Sequence, residues 1–234
     1  MIAIAVALAG LALTVSAPAQ TVENAQDNAQ GNALPSASTP SPVRADRDET
    51  IRSAATSRVA DWIAASGDNG SLPYIIVDKQ DASLFLFDAK GKAVGKVPVL
   101  IGVAVGDEAT PGIGSKNLAE IGPAEKTTPA GRFLAKYGMA AGGQKILWVD
   151  YATSVALHPI PTGASPKERR RQRMQSPTPD DNRITFGCIN VPTAFYTKSV
   201  RPLFLKKGGY VYVLPDTKPL ESVFPSLLVQ PVAP

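Results

Sequence analysis

The stretch that says most about fold and chemistry is residues 184–192, Ile-Thr-Phe-Gly-Cys-Ile-Asn-Val-Pro. It contains Cys188, the only cysteine among 234 residues. Asn190 is a favourable N-cap residue and Pro192 suits a first helical turn, so the pattern predicts a short amphipathic helix over 193–200. Gly187 would let the backbone turn tightly beside the thiol. The sequence therefore predicts a cysteine at a strand-to-helix junction.

The only histidine, His158, follows the apolar run of residues 155–157. A thiolate is the reactive form of cysteine, and both a nearby imidazole and a helix N-terminus favour its formation. Cys188 and His158 are therefore a candidate nucleophile and base. The alternative is a small buried hydrophobe and a structural histidine, and adjacency in space decides between the two.

Four segments resemble the catalytic domain of the L,D-transpeptidase family. The first is the Thr185-x-Gly187-Cys188-x-Asn190 motif, with a histidine ending an earlier strand. The other three are a hairpin over 76–88, the Thr-Pro-Ala-Gly-Arg-Phe segment of 128–133, and a closing strand over 208–213. They occur in the family's order across about residues 72–216. Phe186 stands where family members often carry a second histidine, which leaves the base to His158 alone.

The resemblance implies a cysteine acyltransferase that needs no cofactor and acts on peptidoglycan stem peptides. Cys188 would attack the bond between diaminopimelate and D-alanine, and His158 would move the proton. Gly187 and Cys188 would supply oxyanion N–H donors, Thr185 would shape the loop, and Asn190 would contact substrate. Because Pro159 follows His158, a backbone carbonyl is expected to orient the imidazole.

Several functions remain open on the sequence alone. The same residues would support an L,D-carboxypeptidase or another thiol peptide hydrolase, and a non-catalytic cell-wall binding module is a third alternative. Carbapenem-type inhibitors are expected to acylate the cysteine. Nucleic acid is not an expected partner, and the acceptor and the oligomeric state are not predicted.

The rest of the chain predicts a mostly β, sandwich-like domain. Short apolar runs alternate with glycine-rich connections, and the run from Tyr74 to Val77 is followed by an apparent hairpin at residues 84–97. The chain has neither a Gly-x-Gly-x-x-Gly fingerprint after a strand nor a phosphate loop, which excludes the usual nucleotide-binding folds. One or two short helices and an N-terminal helix complete the predicted fold.

Five segments are predicted along the chain. Residues 1–19 are almost wholly apolar or small and end in Ala-Pro-Ala, which indicates a signal peptide or an uncleaved anchor, and hence a periplasmic or cell-envelope protein. Residues 20–48 are a polar, disordered tether. Residues 49–71 are a helical lead-in ending near Gly67. The catalytic domain spans 72–216, and 217–234 form a C-terminal tail.

A basic insertion separates the base from the nucleophile. It contains one acidic residue, Glu168, and five cationic residues: Lys167, Arg169, Arg170, Arg171 and Arg173. It is either a solvated loop or a lid that attracts acidic cell-wall peptides. Arg183, five residues before Cys188, is a candidate two-pronged ligand for a substrate carboxylate.

A metal site is not predicted. One histidine and one cysteine supply two ligands, and Asp180 and Asp181 lie in a proline-rich turn without ligand spacing. A closed zinc site usually needs four ligands. The single cysteine also excludes an intramolecular disulfide.

Overall fold

A computed structural model of the chain describes residues 52–140 and 143–228. The predicted signal peptide and tether lie outside these residues. Among the described residues, no helix is both long and apolar enough to cross a bilayer.

Ten strands dominate the domain: β1 Tyr74–Asp78, β2 Ser83–Phe87, β3 Ala93–Pro98, β4 Ile101–Gly102, β5 Gly131–Met139, β6 Lys145–Asp150, β7 Val155–Pro159, β8 Arg183–Thr185, β9 Ile189–Val191 and β10 Gly209–Val213. Eight of them form one sheet in the order β3-β2-β1-β10-β5-β6-β7-β9, and β4 pairs with β8. The β1–β10, β7–β9 and β4–β8 pairs are parallel, and the other pairs are antiparallel. This architecture confirms the predicted mostly β fold class.

The large sheet comes close to closing on itself. Leu100, just after β3 at one edge, exchanges backbone hydrogen bonds of 3.0 and 2.9 Å with Asn190 in β9 at the other edge. Both faces are covered: Ile75 and Val77 of β1 point into one apolar core, while Tyr74 and Ile76 point into a second core. This explains why β1 is an uninterrupted apolar run, since a strand buried on both faces shows no polar alternation.

The helices are short and mostly peripheral: α1 Ala54–Ser66, α2 Arg170–Met174, α3 Thr193–Phe195, α4 Arg201–Phe204 and α5 Leu220–Val223. A π-helical turn, Tyr196–Val200, connects α3 to α4. The N-cap of α1 is Ser53, whose hydroxyl accepts from the Thr56 N–H at 3.0 Å. Gly67 ends α1 in the left-handed region at φ 68°, as a C-terminal glycine typically does.

The second core lies between α1 and the sheet. Val59 and Ile63 of α1 are fully buried against Tyr74, Ile76 and Tyr212. Phe224 joins the same core from the segment predicted as a tail, and it is 3% exposed. Residues 217–228 therefore pack on the domain through this side chain.

The predicted helix after residue 192 is present, but its predicted cap is wrong. Asn190 is an internal residue of β9, fully paired with its neighbours, and Pro192 occupies the N-cap position. The Asn190 side chain is thereby free for a different contact, which lies in the candidate site.

Candidate active site

Parallel pairing of β7 with β9 brings the strand that carries the chain's one imidazole beside the segment that carries its one thiol. His158 lies directly opposite Asn190 in the register of the two strands. Cys188 immediately precedes β9 and stands two residues before Asn190, which is the spacing of residues on one face of a strand. Cys188 Sγ also contacts the carbonyl oxygen of Ser154, immediately before β7, at 3.7 Å. The register therefore places Cys188 two residues from the strand partner of His158, although the two residues are 30 positions apart in sequence.

Two contacts set the tautomer of His158. Its Nδ1 lies 2.7 Å from the carbonyl oxygen of Pro159, so Nδ1–H donates and Nε2 keeps the lone pair. Nε2 lies 3.4 Å from Nδ2 of Asn190, which can donate to it. Burial lowers the pKa of His158, the Pro159 carbonyl opposes that shift, and the charge of Arg170 adds to it. The imidazole is consequently neutral at pH 7 and able to accept a proton.

The thiol of Cys188 rests as a neutral donor. Its Sγ lies 3.7 Å from the carbonyl oxygen of Ser154, to which it donates, and the residue is only partly exposed. Burial raises the pKa of Cys188, while the hydrogen bond with Ala156 and the charge of Arg170 oppose that shift. The thiol and the imidazole both rest in their neutral forms, and the sulfur becomes a nucleophile when its proton moves to a base.

The loop that carries the thiol is tied down on both sides. The Thr185 hydroxyl donates to the Cys188 carbonyl at 2.6 Å and accepts from the Gly187 N–H at 3.2 Å. The Thr128 hydroxyl donates to the Gly187 carbonyl at 2.8 Å. Gly187 has a φ of 124°, and a Cβ on it would lie 2.6 Å from the Thr127 carbonyl oxygen. Only glycine fits here, because both the dihedral and the close approach exclude a side chain.

The basic insertion reaches the site through one residue. Nη1 of Arg170 donates to Oδ1 of Asn190 at 2.8 Å, and Nε donates to Glu168 at 2.8 Å. The Arg170 side chain is only 12% exposed. The remaining four cations of the insertion line an outer groove of about 870 Å³ together with Asp181. Arg170 is thus held inside the protein while the other four cations line the groove, and the lid stays a prediction.

Arg183 and Phe186 have contacts of their own outside this cluster. Arg183 donates to Asp216 at 2.7 Å in an ion pair that is almost buried. Its assignment to a substrate carboxylate stays a prediction, and its present contact is structural. Phe186, which occupies the second-histidine position, is 39% exposed and carries the Lys126 ammonium 3.8 Å above its ring centre.

His158 lines an open cavity of about 570 Å³, whose wall is made mainly of apolar atoms. Ile146 and Tyr196 contribute to its wall, and Lys145 and Arg201 supply cations. Within residues 52–140 and 143–228, no cluster of three His, Cys, Asp or Glu side chains is placed to hold a metal.

Sequence reasoning missed two contributors to the site. Arg170 was visible only as one of five cations, because nothing local distinguishes the residue that reaches Asn190. Thr128 was noticed as part of the Thr-Pro segment, without its contact to Gly187. The pairing of β7 with β9 is the signal that leads to Arg170. It places Asn190 beside His158 rather than at a helix cap, and Arg170 is the cation that contacts Asn190.

No family model matches this chain, and no curated protein matches it. Similar solved structures include the L,D-transpeptidase catalytic domain of E. faecium, at 20% identity and a TM-score of 0.32, covering 60% of this chain and 95% of that one. An L,D-transpeptidase from Xylanimonas cellulosilytica is 14% identical, with a TM-score of 0.36 and coverage of 61% and 60%.

The helical cell shape determining protein Pgp2 from Campylobacter jejuni is 16% identical, with a TM-score of 0.42, and the match covers 68% of this chain and 56% of that one. L,D-transpeptidase catalytic domains are thus among the solved structures to which the chain is similar.

Proposed function

We propose that this protein is a cysteine-dependent acyltransferase of the L,D-transpeptidase type, acting on peptidoglycan stem peptides. The observation that supports it most is the β7–β9 register, in which His158 lies opposite Asn190, two residues from Cys188. The substrate class comes from the resemblance of the 185–190 motif and its accompanying segments to that family.

The first step forms the thioester. His158 Nε2 takes the proton of the Cys188 thiol, and the sulfur attacks the carbonyl carbon of the diaminopimelate–D-alanine bond. We assign the oxyanion donor to the Cys188 N–H, because the Gly187 N–H already donates to Thr185. The imidazolium then protonates the departing amine, and D-alanine leaves.

The second step resolves the thioester. An acceptor amine gives a new peptide bond, whereas water gives the free carboxylate. The cavity that begins at His158 offers room for a peptide beside the base, and Lys145 and Arg201 are suited to its carboxylates. Transfer is the proposal, and hydrolysis is the product that competes with it.

Incubation with defined tetrapeptide muropeptides, followed by mass analysis of the products, tests this function. A cross-linked product with release of D-alanine is expected from the protein and not from Cys188→Ala. Tripeptide and free D-alanine without any cross-link would replace transferase by carboxypeptidase. Binding of muropeptides without any change in their mass would overturn the enzymatic proposal.

A further inference from the structure

One side chain of the basic insertion makes a contact that charge attraction for a substrate does not explain. Arg170 uses Nε and Nη2 on the two Glu168 carboxylate oxygens, at 2.8 and 3.4 Å, and Nη1 on Asn190. All three contacts lie within the protein, and the side chain is 12% exposed. A guanidinium committed in this way is poorly placed to capture an incoming anion.

The contact with Asn190 fixes which end of its carboxamide faces the imidazole. Because Oδ1 accepts from Arg170, Nδ2 is left to point at His158 Nε2, at 3.4 Å. An amide N–H can donate to the lone pair of neutral histidine. It cannot accept from the N–H that appears when Nε2 is protonated. The reversed amide would do the opposite and would stabilise the imidazolium.

We propose that Arg170 is a positioning residue for His158: it holds the Asn190 carboxamide in the orientation that donates to Nε2 and so favours the neutral imidazole. The inference rests on the proposed function for its catalytic meaning, although the geometry concerns only side chains of this chain. The positive charge of Arg170 acts in the same direction, because both it and burial lower the pKa of His158.

The other groups around the imidazole are few among the described residues. Asn190 faces it from β9, Cys188 lies in the loop just before β9, and the charge of Glu168 is compensated by its ion pair with Arg170. Lys145 of β6 and Arg201 of α4 line the cavity that begins at His158. Replacing Arg170 removes the partner of Glu168 and the contact that holds Asn190. The loss of the Glu168 ion pair occurs whether or not Asn190 is present, so comparing the two backgrounds separates it from the effect of Asn190.

Titration of His158 by proton NMR measures the effect directly, because the chain contains a single imidazole. Arg170→Gln should raise the pKa of His158, since Asn190 can then reverse its amide and accept from Nε2–H. The matched control is Arg171→Gln, which removes the same charge from the next residue of α2, on the side that lines the outer groove. Its titration should follow the wild type.

A double substitution separates positioning from charge. In an Asn190→Ala background, Arg170→Gln should change the pKa of His158 by clearly less than it does when Asn190 is present. An equal shift in both backgrounds would mean that Arg170 acts by its charge alone and would overturn the positioning role. No shift in the single variant, or the same shift in Arg171→Gln, would overturn it as well.

Two additions keep the test decisive. If Arg170→Gln does not fold by circular dichroism, Arg170→Lys replaces it in both backgrounds, since it keeps the charge and loses the planar fork. The acid limb of carbapenem acylation should move to higher pH together with the NMR value. If the His158 titrations behave as expected but carbapenem does not acylate the protein, the positioning role is sustained and the proposed function is rejected.

Discussion

Replacement of Lys79 by Met should destabilise the protein more than any comparable change of a surface lysine. The Lys79 ammonium is fully buried and lies 3.0 Å from Asp107 and 3.3 Å from Asp216. It also donates to the carbonyl oxygens of Gly106 and Thr128, at 2.5 and 2.9 Å. Methionine fills a similar volume, so the loss is mainly electrostatic.

The size of this loss of stability depends on the partners that Asp107 and Asp216 keep when Lys79 is removed. Removing one partner of a buried ion pair typically costs about 3–5 kcal/mol, because the other charge is left without compensation. Asp107 keeps the backbone N–H groups of Asp216, Thr217 and Lys218, and Asp216 keeps Arg183. These contacts place the expected loss near the lower end, at about 3 kcal/mol, against a total stability on the order of 5–15 kcal/mol.

Urea unfolding followed by tryptophan fluorescence measures this change. The control is Lys90→Met, at an exposed turn position whose side chain lies outside the network, and it should change the free energy of unfolding by less than about 0.5 kcal/mol. A loss below about 1 kcal/mol for Lys79→Met would refute the account of the buried network.

Lys79→Met and Lys90→Met should also differ in how steeply their stability falls at low pH. Burial alone would raise the pKa of Asp107, but the N–H groups of residues 216, 218 and 217 and the Lys79 ammonium outweigh it and hold the pKa far below its usual range. The unfolded chain therefore binds more protons, and stability falls as the pH drops below about 4. That decline should be shallower in Lys79→Met, because one cause of the low pKa is gone.

Three further outcomes are expected. Gly187→Ala should slow thiol acylation and lower stability by about 1–3 kcal/mol or more, since the new Cβ meets the Thr127 carbonyl at 2.6 Å at a positive φ; acylation and unfolding at wild-type values would contradict it. Phe224→Ala should cost about 3–5 kcal/mol in urea unfolding, because the ring is 3% exposed, and an unchanged midpoint would show that the C-terminal segment does not pack on the core. The acid limb of acylation should lie below pH ~6.5, because burial lowers the pKa of His158, and a limb at or above that pH would mean a protonated resting imidazole.

The strands and the N-terminal helix could be predicted from the sequence for simple physical reasons. Strands such as β1 and β2 are short apolar runs between turn residues, and α1 has helical apolar spacing that ends at Gly67. These are local signals, and the elements they mark lie where they were expected.

Long-range pairing carries no such local signal. Asn190 looks like a helix cap in sequence, but its place beside His158 depends on a parallel register between strands separated by the whole insertion. Lys79 lies between the polar residues Asp78 and Gln80, a pattern typical of an exposed turn. Its side chain is nevertheless fully buried, and its ion-pair partner Asp107 lies more than 25 positions away in sequence. Arg170 looks like the other arginines of the insertion in sequence, and only the folded structure shows that it is the one that contacts Asn190.

The most direct test of the central claim is the intact mass of the protein after brief reaction with a tetrapeptide donor and acid quenching. The expected species carries one acyl group equal to the donor minus D-alanine, on the proteolytic fragment that contains Cys188, and hydroxylamine should remove it as it would a thioester. Cys188→Ala should carry none. Release of D-alanine by Cys188→Ala at the wild-type rate, or an adduct on another residue, would contradict the assignment of Cys188 as the nucleophile.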